Sequence, residues 1–254
     1  MTTVSVVIPT FNSSSTLARC LDSVLAVDAL ISEIIIVDGL SSDNTVEIAN
    51  QYNSLFSSFT ILSEPDEGIS DAFNKGIKLA SSEYIFLLGS DDCILEDGFS
   101  FSVFELSSTH PEIFLTPIIS NCSSRVWCSN LSCIKSYNSF IHPGSFVRKD
   151  VYDNIGLYDS TFKVAMDYEF FSRAYFLGVE FHEQNLQPVV CHFSGGVSAN
   201  NYICFQESFR VRKLYYSAVV PLSEIYRYLP SLLLPKNFRN FLNVTFKKLP
   251  FFRF

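Results

Sequence analysis

The chain has 254 residues, of which 48% are hydrophobic and 17% charged, and its formal net charge is −8. This length and balance exclude a disordered or fibrous protein and suit one large domain or a domain with an extension. Seven cysteines, odd in number and without C-x-x-C spacing, indicate neither a disulfide framework nor a zinc site. The N-terminal residues lack a secretory-signal pattern, so we expect a cytoplasmic protein.

The first 120 residues alternate short apolar runs with segments of helical periodicity. Helices are predicted between four strands, at residues 4–8, 33–38, 59–62 and 84–88. Such an alternation predicts an α/β fold with a Rossmann-like, mostly parallel central sheet and flanking helices. Neither G-x-G-x-x-G nor G-x-x-x-x-G-K-[ST] occurs, which disfavours a dinucleotide dehydrogenase and a P-loop NTPase.

Candidate site residues follow each predicted strand. Because ligands of parallel α/β sheets bind beyond the carboxyl ends of the strands, we expect these residues to meet at one edge. Two adjacent carboxylates at the end of a buried strand repel each other and lose hydration, so they need a cation, hydrogen-bond donors or open water. In chain order the residues are Pro9, Thr10, Asn12, Asp38, Glu64, Asp66, Asp91 and Asp92.

Four segments resemble, in order, the motifs of the family 2 glycosyltransferases, which are inverting enzymes of the GT-A fold. The segments are VSVVIPTFN (4–12), IIIVDGLSSDNT (34–45), EPDEGISDAFNKGIKLASSEYIFLLGSDD (64–92) and MDYEFFSRA (166–174). The resemblance is strongest to enzymes of bacterial exopolysaccharide and O-antigen synthesis. It implies the nucleotide-diphospho-sugar transferase fold over about residues 4–200.

The resemblance also implies roles at the donor site. Asp38 takes the position that binds the nucleotide base, and its carboxylate can accept from the uracil ring N–H. At the metal site, Asp92 is the expected direct ligand, and Asp91 is expected to contact either the ribose or a water bound to the metal. The expected cofactor is Mn²⁺ or Mg²⁺, since hard oxygen ligands suit these ions. The alternatives are that Asp38 caps the next turn and that the aspartate pair is an exposed loop start.

Further contacts to the nucleotide sugar are expected from the same motifs. Lys75 could meet a phosphate, although an exposed helix lysine is the alternative. Ser90 stands where the family's metal motif, loosely Asp-x-Asp, has its first aspartate, so the number of side chains that reach the metal stays open. The expected contacts are Pro9, Thr10, Asn12, Asp66, Gly68, Asn74, Lys75, Ser90 and Asp91.

The resemblance places the catalytic base at Asp167, near the start of a predicted helix. In an inverting transfer one base takes the proton from the acceptor hydroxyl as the hydroxyl attacks the anomeric carbon. Glu169 is the second candidate, and a charge that merely favours the helix dipole is the alternative for Asp167. His142 matches a position near the acceptor pocket and His192 is a candidate late metal ligand, although lone histidines are more often structural.

The C-terminal segment differs in charge from the rest of the chain. Residues 1–204 carry 9 Lys or Arg against 24 Asp or Glu, a net charge of −15, whereas residues 205–254 carry 9 against 2, a net charge of +7. Basic residues interleaved with aromatic ones favour binding to an anionic membrane surface, here the cytoplasmic face of the inner membrane. The alternative is that the segment packs on the acidic body or on a second copy in a homo-oligomer. Nucleic acid is not an expected partner.

We therefore expect a catalytic GT-A domain over residues 1–204 and a basic, amphipathic, helical extension over 205–254. The expected reaction moves a sugar from a nucleotide diphosphate, UDP in the simplest case, to a hydroxyl of a lipid-linked glycan in O-antigen or capsule synthesis. A sugar nucleotidyltransferase is an alternative, although PTFNSSST lacks the basic, glycine-rich loop of such enzymes. A non-catalytic glycan-binding or scaffold protein and a retaining transferase of the same fold are the others.

Overall fold

A seven-stranded sheet forms the centre of the protein. The computed structural model describes residues 2–121, 125–140, 142–193 and 201–216. Within these residues every neighbouring pair of strands in the sheet is parallel except the two pairs made by β9. The predicted α/β fold with a mostly parallel sheet is therefore confirmed. In spatial order the strands are β10 (Phe181–Glu183), β6 (Ile113–Leu115), β9 (Ser145–Arg148), β4 (Tyr84–Leu87), β1 (Val4–Thr10), β2 (Glu33–Asp38) and β3 (Phe59–Ser63).

Helices cover both faces of this sheet. Val4, Val6 and Ile8 of β1 pack into one core and Val7 into the other, as expected for a strand buried on both faces. The first core lies beneath α1 (Leu17–Leu25), α2 (Thr45–Tyr52) and α4 (Glu96–Thr109). The second lies beneath α3 (Ile69–Leu79), α5 (Lys149–Ile155) and α6 (Met166–Phe176).

Helix α3 approaches the sheet closely at Gly76. A Cβ atom at this position would overlap the Cγ1 atom of Val7 on β1. Because Gly76 has no side chain, the helix rests directly on the strand, with Phe73 and Ile77 buried on either side. This contact fixes the start of α3, and the loop before it, against the carboxyl ends of β1 and β2.

A second, four-stranded sheet joins two distant parts of the chain. Its strands are, in spatial order, β5 (Cys93–Ile94), β11 (Val190–His192), β7 (Ile118–Ser120) and β8 (Val126–Trp127). β5 begins immediately after Asp92 and pairs antiparallel with β11, with Cys93 opposite Cys191. The pairing therefore brings His192 next to the acidic pair, 100 residues earlier in the sequence.

The last described element is α7 (Asn201–Tyr215), which packs against α6. This helix runs continuously across the boundary predicted at residues 204 and 205. The division into two units stays a prediction, because residues 217–254, which hold most of the basic segment, lie outside the described residues. Among the helices of the described ranges, none has the length and apolar character needed to cross a membrane.

Candidate active site

A cavity of about 770 Å³ opens at the carboxyl ends of β1, β2, β3 and β4. Most of the predicted strand-end residues gather at this edge. Five predicted site residues do not line the cavity: Asp38, Glu64, Asn74, Lys75 and Glu169. The predicted residues that line the cavity are Pro9, Thr10, Asn12, Asp66, Gly68, Ser90, Asp91, Asp92, His142, Asp167 and His192.

One end of the cavity is formed by Phe11, Gly39 and Asp66. The Phe11 ring is 65% exposed, although it lines the cavity. One oxygen of Asp66, Oδ1, accepts a hydrogen bond from the Gly68 N–H at 2.9 Å. The other, Oδ2, occupies the place that a Cβ atom on Gly39 would take. An aromatic face and a carboxylate oxygen thus lie side by side, and neither Phe11 nor Gly39 was predicted from the sequence.

Asp38 lies beneath this end, buried and surrounded by donors. Its Oδ1 accepts from the Thr10 and Ser41 hydroxyls at 3.1 and 2.5 Å. Its Oδ2 accepts from the Ser41 N–H at 3.0 Å and the Ser63 hydroxyl at 2.8 Å. These bonds tie together the ends of β1, β2 and β3. Base binding by Asp38 stays a prediction, and this placement does not favour it, because at this end of the cavity Asp66 is a lining residue and Asp38 is not.

Asn12 fixes the loop after β1 to the loop after β2. Its backbone is left-handed, with φ of 49°, a conformation that asparagine tolerates better than most residues. The side-chain oxygen accepts from the Ser42 N–H at 2.9 Å, and the Asn12 N–H donates to the Ser41 hydroxyl at 2.8 Å. The wall of the cavity beside Phe11 is thereby held in one conformation.

The acidic pair lines the cavity next to Gly89. A Cβ atom on Gly89 would lie 2.9 Å from both Asp91 Oδ1 and Asp92 Oδ2, so one oxygen of each carboxylate faces the space that this glycine leaves open. Burial and the neighbouring charge of Asp92 raise the pKa of Asp91 above its ordinary value. The two carboxylates therefore repel each other across a space that a cation could fill.

Asp92 is held from its other side by the second sheet. It is 2% exposed, and its Oδ1 accepts from His192 Nδ1 at 2.9 Å and from the Phe193 N–H at 3.0 Å. The hydrogen bond to Asp92 raises the pKa of His192. Arg19 supports the same loop: its guanidinium lies 3.8 Å above the Phe193 ring and donates to the Asp91 carbonyl at 2.8 Å. Phe193 and Arg19 were not predicted.

Asp167, the predicted base, stands on the first turn of α6 and faces the same cavity. Oδ1 accepts from the Tyr168 N–H at 2.7 Å and, weakly, from the Asn138 amide at 3.4 Å. Oδ2 accepts no hydrogen bond from the described ranges of the chain. Burial raises the pKa of Asp167 to about 6. At neutral pH the group is thus a carboxylate with one unpartnered oxygen and a pKa suited to accepting a proton.

The two remaining candidates for the acceptor side have different surroundings. His142 lines the cavity, with its ring edge-on to Phe73 at 5.1 Å between centroids, and burial lowers the pKa of His142 to about 4. The imidazole is therefore neutral at physiological pH. Glu169 is buried away from the cavity, in an ion pair with Arg173 at 3.0 Å and a hydrogen bond from the Tyr215 hydroxyl at 2.6 Å. This placement assigns Glu169 a structural role.

The side chains of Asn74 and Lys75 contact other parts of the protein and do not line the cavity. The Asn74 amide exchanges two hydrogen bonds with the backbone of Tyr158, at 2.8 and 3.0 Å. Lys75 is paired with Glu64 at 3.0 Å and Asp71 at 3.2 Å, so its charge is already partnered on the protein surface. The cavity instead has Lys163 on its wall, a residue that the sequence analysis did not single out.

The chain is similar in sequence to a known protein family and in fold to solved structures. The model for "Glycosyl transferase family 2" matches residues 5–168, well over half of the chain. The chain belongs to glycosyl transferase family 2. The match begins in β1 and ends just after Asp167, so it contains the acidic pair and the predicted base. His192, Phe193 and α7 of this glycosyltransferase lie beyond the matched segment.

Curated relatives and solved structures agree with this assignment. A PGL/p-HBAD biosynthesis glycosyltransferase of Mycobacterium bovis is 28% identical over 176 residues, which cover 67% of this chain and 69% of that protein. The chondroitin synthase of Pasteurella multocida is 35% identical over 94 residues, 37% of this chain and 10% of the synthase. The structure of S. aureus TarS 1–349 in complex with UDP-GlcNAc has a TM-score of 0.72 and 18% identity, and the likeness covers 96% of this chain and 80% of that one. The GT-A fold predicted for this glycosyltransferase is thereby confirmed.

Proposed function

We propose that this glycosyltransferase moves a sugar from a UDP-linked donor to an acceptor hydroxyl, with inversion at the anomeric carbon and with Asp167 as the base. One observation carries the proposal: Asp167, whose Oδ2 accepts no hydrogen bond from the described residues, lines the same cavity as the acidic pair. The cavity volume, about 770 Å³, is within the range of small-molecule sites and suits a nucleotide sugar.

The nucleotide base fits the end of the cavity formed by Phe11 and Asp66. A pyrimidine can stack on the exposed Phe11 ring while Asp66 Oδ2 accepts from its ring N–H. Uracil carries such an N–H at position 3 and cytosine does not, so this arrangement favours UDP over CDP. The complexes of S. aureus TarS 1–349 with UDP-GlcNAc and with UDP support a uridine nucleotide, since the two folds agree.

The diphosphate then extends towards Asp91 and Asp92. Among the described side chains there is no group of three or more His, Cys, Asp or Glu residues arranged to hold a metal ion. The two oxygens that face the space beside Gly89 nevertheless fit a divalent cation as two hard ligands, with phosphate oxygens and waters as the others. Bound Mn²⁺ or Mg²⁺ would stabilise the charge that develops on the departing diphosphate.

In this proposal Asp167 accepts the proton that the acceptor hydroxyl releases. As the acceptor oxygen bonds to the anomeric carbon, the bond from that carbon to the diphosphate breaks, and the hydroxyl proton passes to Asp167 Oδ2. A pKa of about 6 leaves Asp167 deprotonated at neutral pH before the transfer. The raised pKa also makes its carboxylate a stronger base than an exposed aspartate.

The acceptor in this proposal is a lipid-linked glycan, and the reaction belongs to surface polysaccharide synthesis. The name of one relative, a chondroitin synthase, supports a polysaccharide acceptor. The net charge of +7 over residues 205–254 supports a location at the cytoplasmic face of an anionic membrane. Liposome co-sedimentation of the full chain, with and without anionic lipid, tests that location.

Calorimetric titration tests the donor site. UDP, CDP, GDP and dTDP are titrated into the protein with Mn²⁺ and with a chelator, for the wild type, Asp92→Asn and the control Asp97→Asn, an exposed residue on the first turn of α4. We expect UDP to bind most tightly in the presence of Mn²⁺ and Asp92→Asn alone to weaken it. If no nucleotide binds in a metal-dependent way, the proposal fails and a non-catalytic glycan-binding role is favoured.

A further inference from the structure

A carboxylate on helix α7 binds the backbone of the segment that leads into α6. Glu207 Oε1 accepts from the backbone N–H of Lys163 at 2.8 Å, and Oε2 accepts from those of Val164 and Ala165, each at 2.8 Å. Three consecutive amides therefore point at one side chain from another helix. Ala165 is the N-cap of α6, so its N–H has no partner within the helix, and the Lys163 and Val164 amides belong to the segment just before the helix. Glu207 supplies the acceptors.

The same helix holds this segment at a second place. Arg210 donates to the Thr161 hydroxyl at 2.9 Å, and its guanidinium lies 4.2 Å above the Phe162 ring. Glu207 and Arg210 are three residues apart and so lie on one face of α7. Residues 161–165 are thus fixed from outside by α7, while Lys163 and Val164 line the cavity on their other side.

Asp167 is two residues beyond the last amide that Glu207 binds. We propose that Glu207 is a positioning residue for Asp167: by binding three amides ahead of α6 it sets where the first turn of that helix presents the carboxylate to the cavity. This inference rests on the proposed role of Asp167 as the base. It assigns α7, which lies outside the segment matched by the family model, to the active site.

The charge of Glu207 has an effect of its own. Its negative charge contributes to the raised pKa of Asp167, in addition to the larger effect of burial. Tyr158 lies in the loop after α5; burial raises the pKa of its phenol, and the charge of Asp167 adds a smaller increase. Lys163, His142 and the acidic pair share the cavity with Asp167. Removing the Glu207 charge while these groups stay unchanged should therefore lower the pKa of Asp167.

Two measurements on the full chain, neither of which needs a substrate, test the proposal. Hydrogen exchange reports the amides of residues 163–165, and ¹³C NMR titration reports the Asp167 carboxyl, assigned with Asp167→Asn. The variants are Glu207→Ala, Glu207→Gln, which keeps the side-chain length and one acceptor oxygen, and the control Gln206→Ala, whose exposed amide contacts Tyr202 on its own helix.

We expect about tenfold faster exchange at the three amides in Glu207→Ala, a smaller increase in Glu207→Gln, and a lower Asp167 pKa in both. The control should match the wild type. Unchanged exchange would overturn the proposal, and so would faster exchange with an unmoved Asp167 titration. If Glu207→Ala does not fold, Glu207→Gln decides the result. Nucleotide titration tests the transferase function separately, so the two proposals can fail independently.

Discussion

Gly39→Ala adds one carbon atom next to Asp66 and tests whether this end of the cavity binds the nucleotide base. The new Cβ atom would overlap Asp66 Oδ2 and lie 3.4 Å from the Phe11 ring. Because carbon and oxygen atoms rest about 3.5 Å apart, the Asp66 carboxylate has to move by roughly 1 Å. Such a shift breaks a hydrogen bond from a bound base to a charged acceptor, which is worth about 1.5–3 kcal/mol, so the Kd for UDP should rise by about 10- to 100-fold.

A double-mutant cycle with Asp66→Ala makes this prediction specific. Both single variants remove the same contact, so the double variant should bind UDP about as weakly as either one, with clear non-additivity in calorimetric titrations. Thermal unfolding in parallel should show little change, because Asp66 is only half-buried. If Gly39→Ala binds UDP as tightly as the wild type, or if the losses of the two single variants are fully additive, Asp66 does not bind the nucleotide base.

Three further outcomes are expected. Asp167→Asn should abolish transfer yet stabilise the fold at neutral pH by on the order of 1 kcal/mol. The reason is that a carboxyl whose pKa is raised to about 6 in the folded protein lowers the folding stability above that pH. In urea titrations the gain should disappear below about pH 4, where the carboxyl is protonated in both the folded and the unfolded protein. Gly76→Ala should destabilise the protein by about 1–3 kcal/mol through overlap with Val7, and Val7→Ala should offset part of that loss in calorimetric melts; an unchanged Tm would contradict the close contact of α3 with β1. Lys75→Ala should leave UDP affinity unchanged, and a loss above about fivefold would restore the phosphate role predicted from its motif.

Much of the fold follows from the sequence because its first half is regular. Continuous apolar runs such as that of β1 predict strands buried on both faces, and parallel strands place their carboxyl ends at one edge. The gathering of Thr10, Asp66 and Asp91 around one cavity could therefore be predicted. The antiparallel strand β9 and the second sheet could not, since strands of two to four residues have no readable period.

The details of the site depend on tertiary contacts that no local pattern carries. Asp38 and Asp66 both follow strands, and only the donors from Ser41 and Ser63 show that Asp38 is the buried one. His192 reaches Asp92 through the pairing of β5 with β11, over a separation of 100 residues. Glu207 is one of only two acidic residues in the basic segment 205–254, and only its position relative to α6 gives it three backbone contacts.

In the proposed function, a uridine diphosphate lies between Phe11 and the acidic pair, with Asp167 facing the sugar. A crystal structure of the protein with UDP and Mn²⁺, with anomalous data collected at the manganese edge, tests it most directly. We predict an anomalous peak within coordination distance of the Asp92 carboxylate, next to the diphosphate, and a uracil ring stacked on Phe11. A nucleotide bound elsewhere, or bound in this cavity with no manganese at Asp91 or Asp92, would show that this arrangement is wrong.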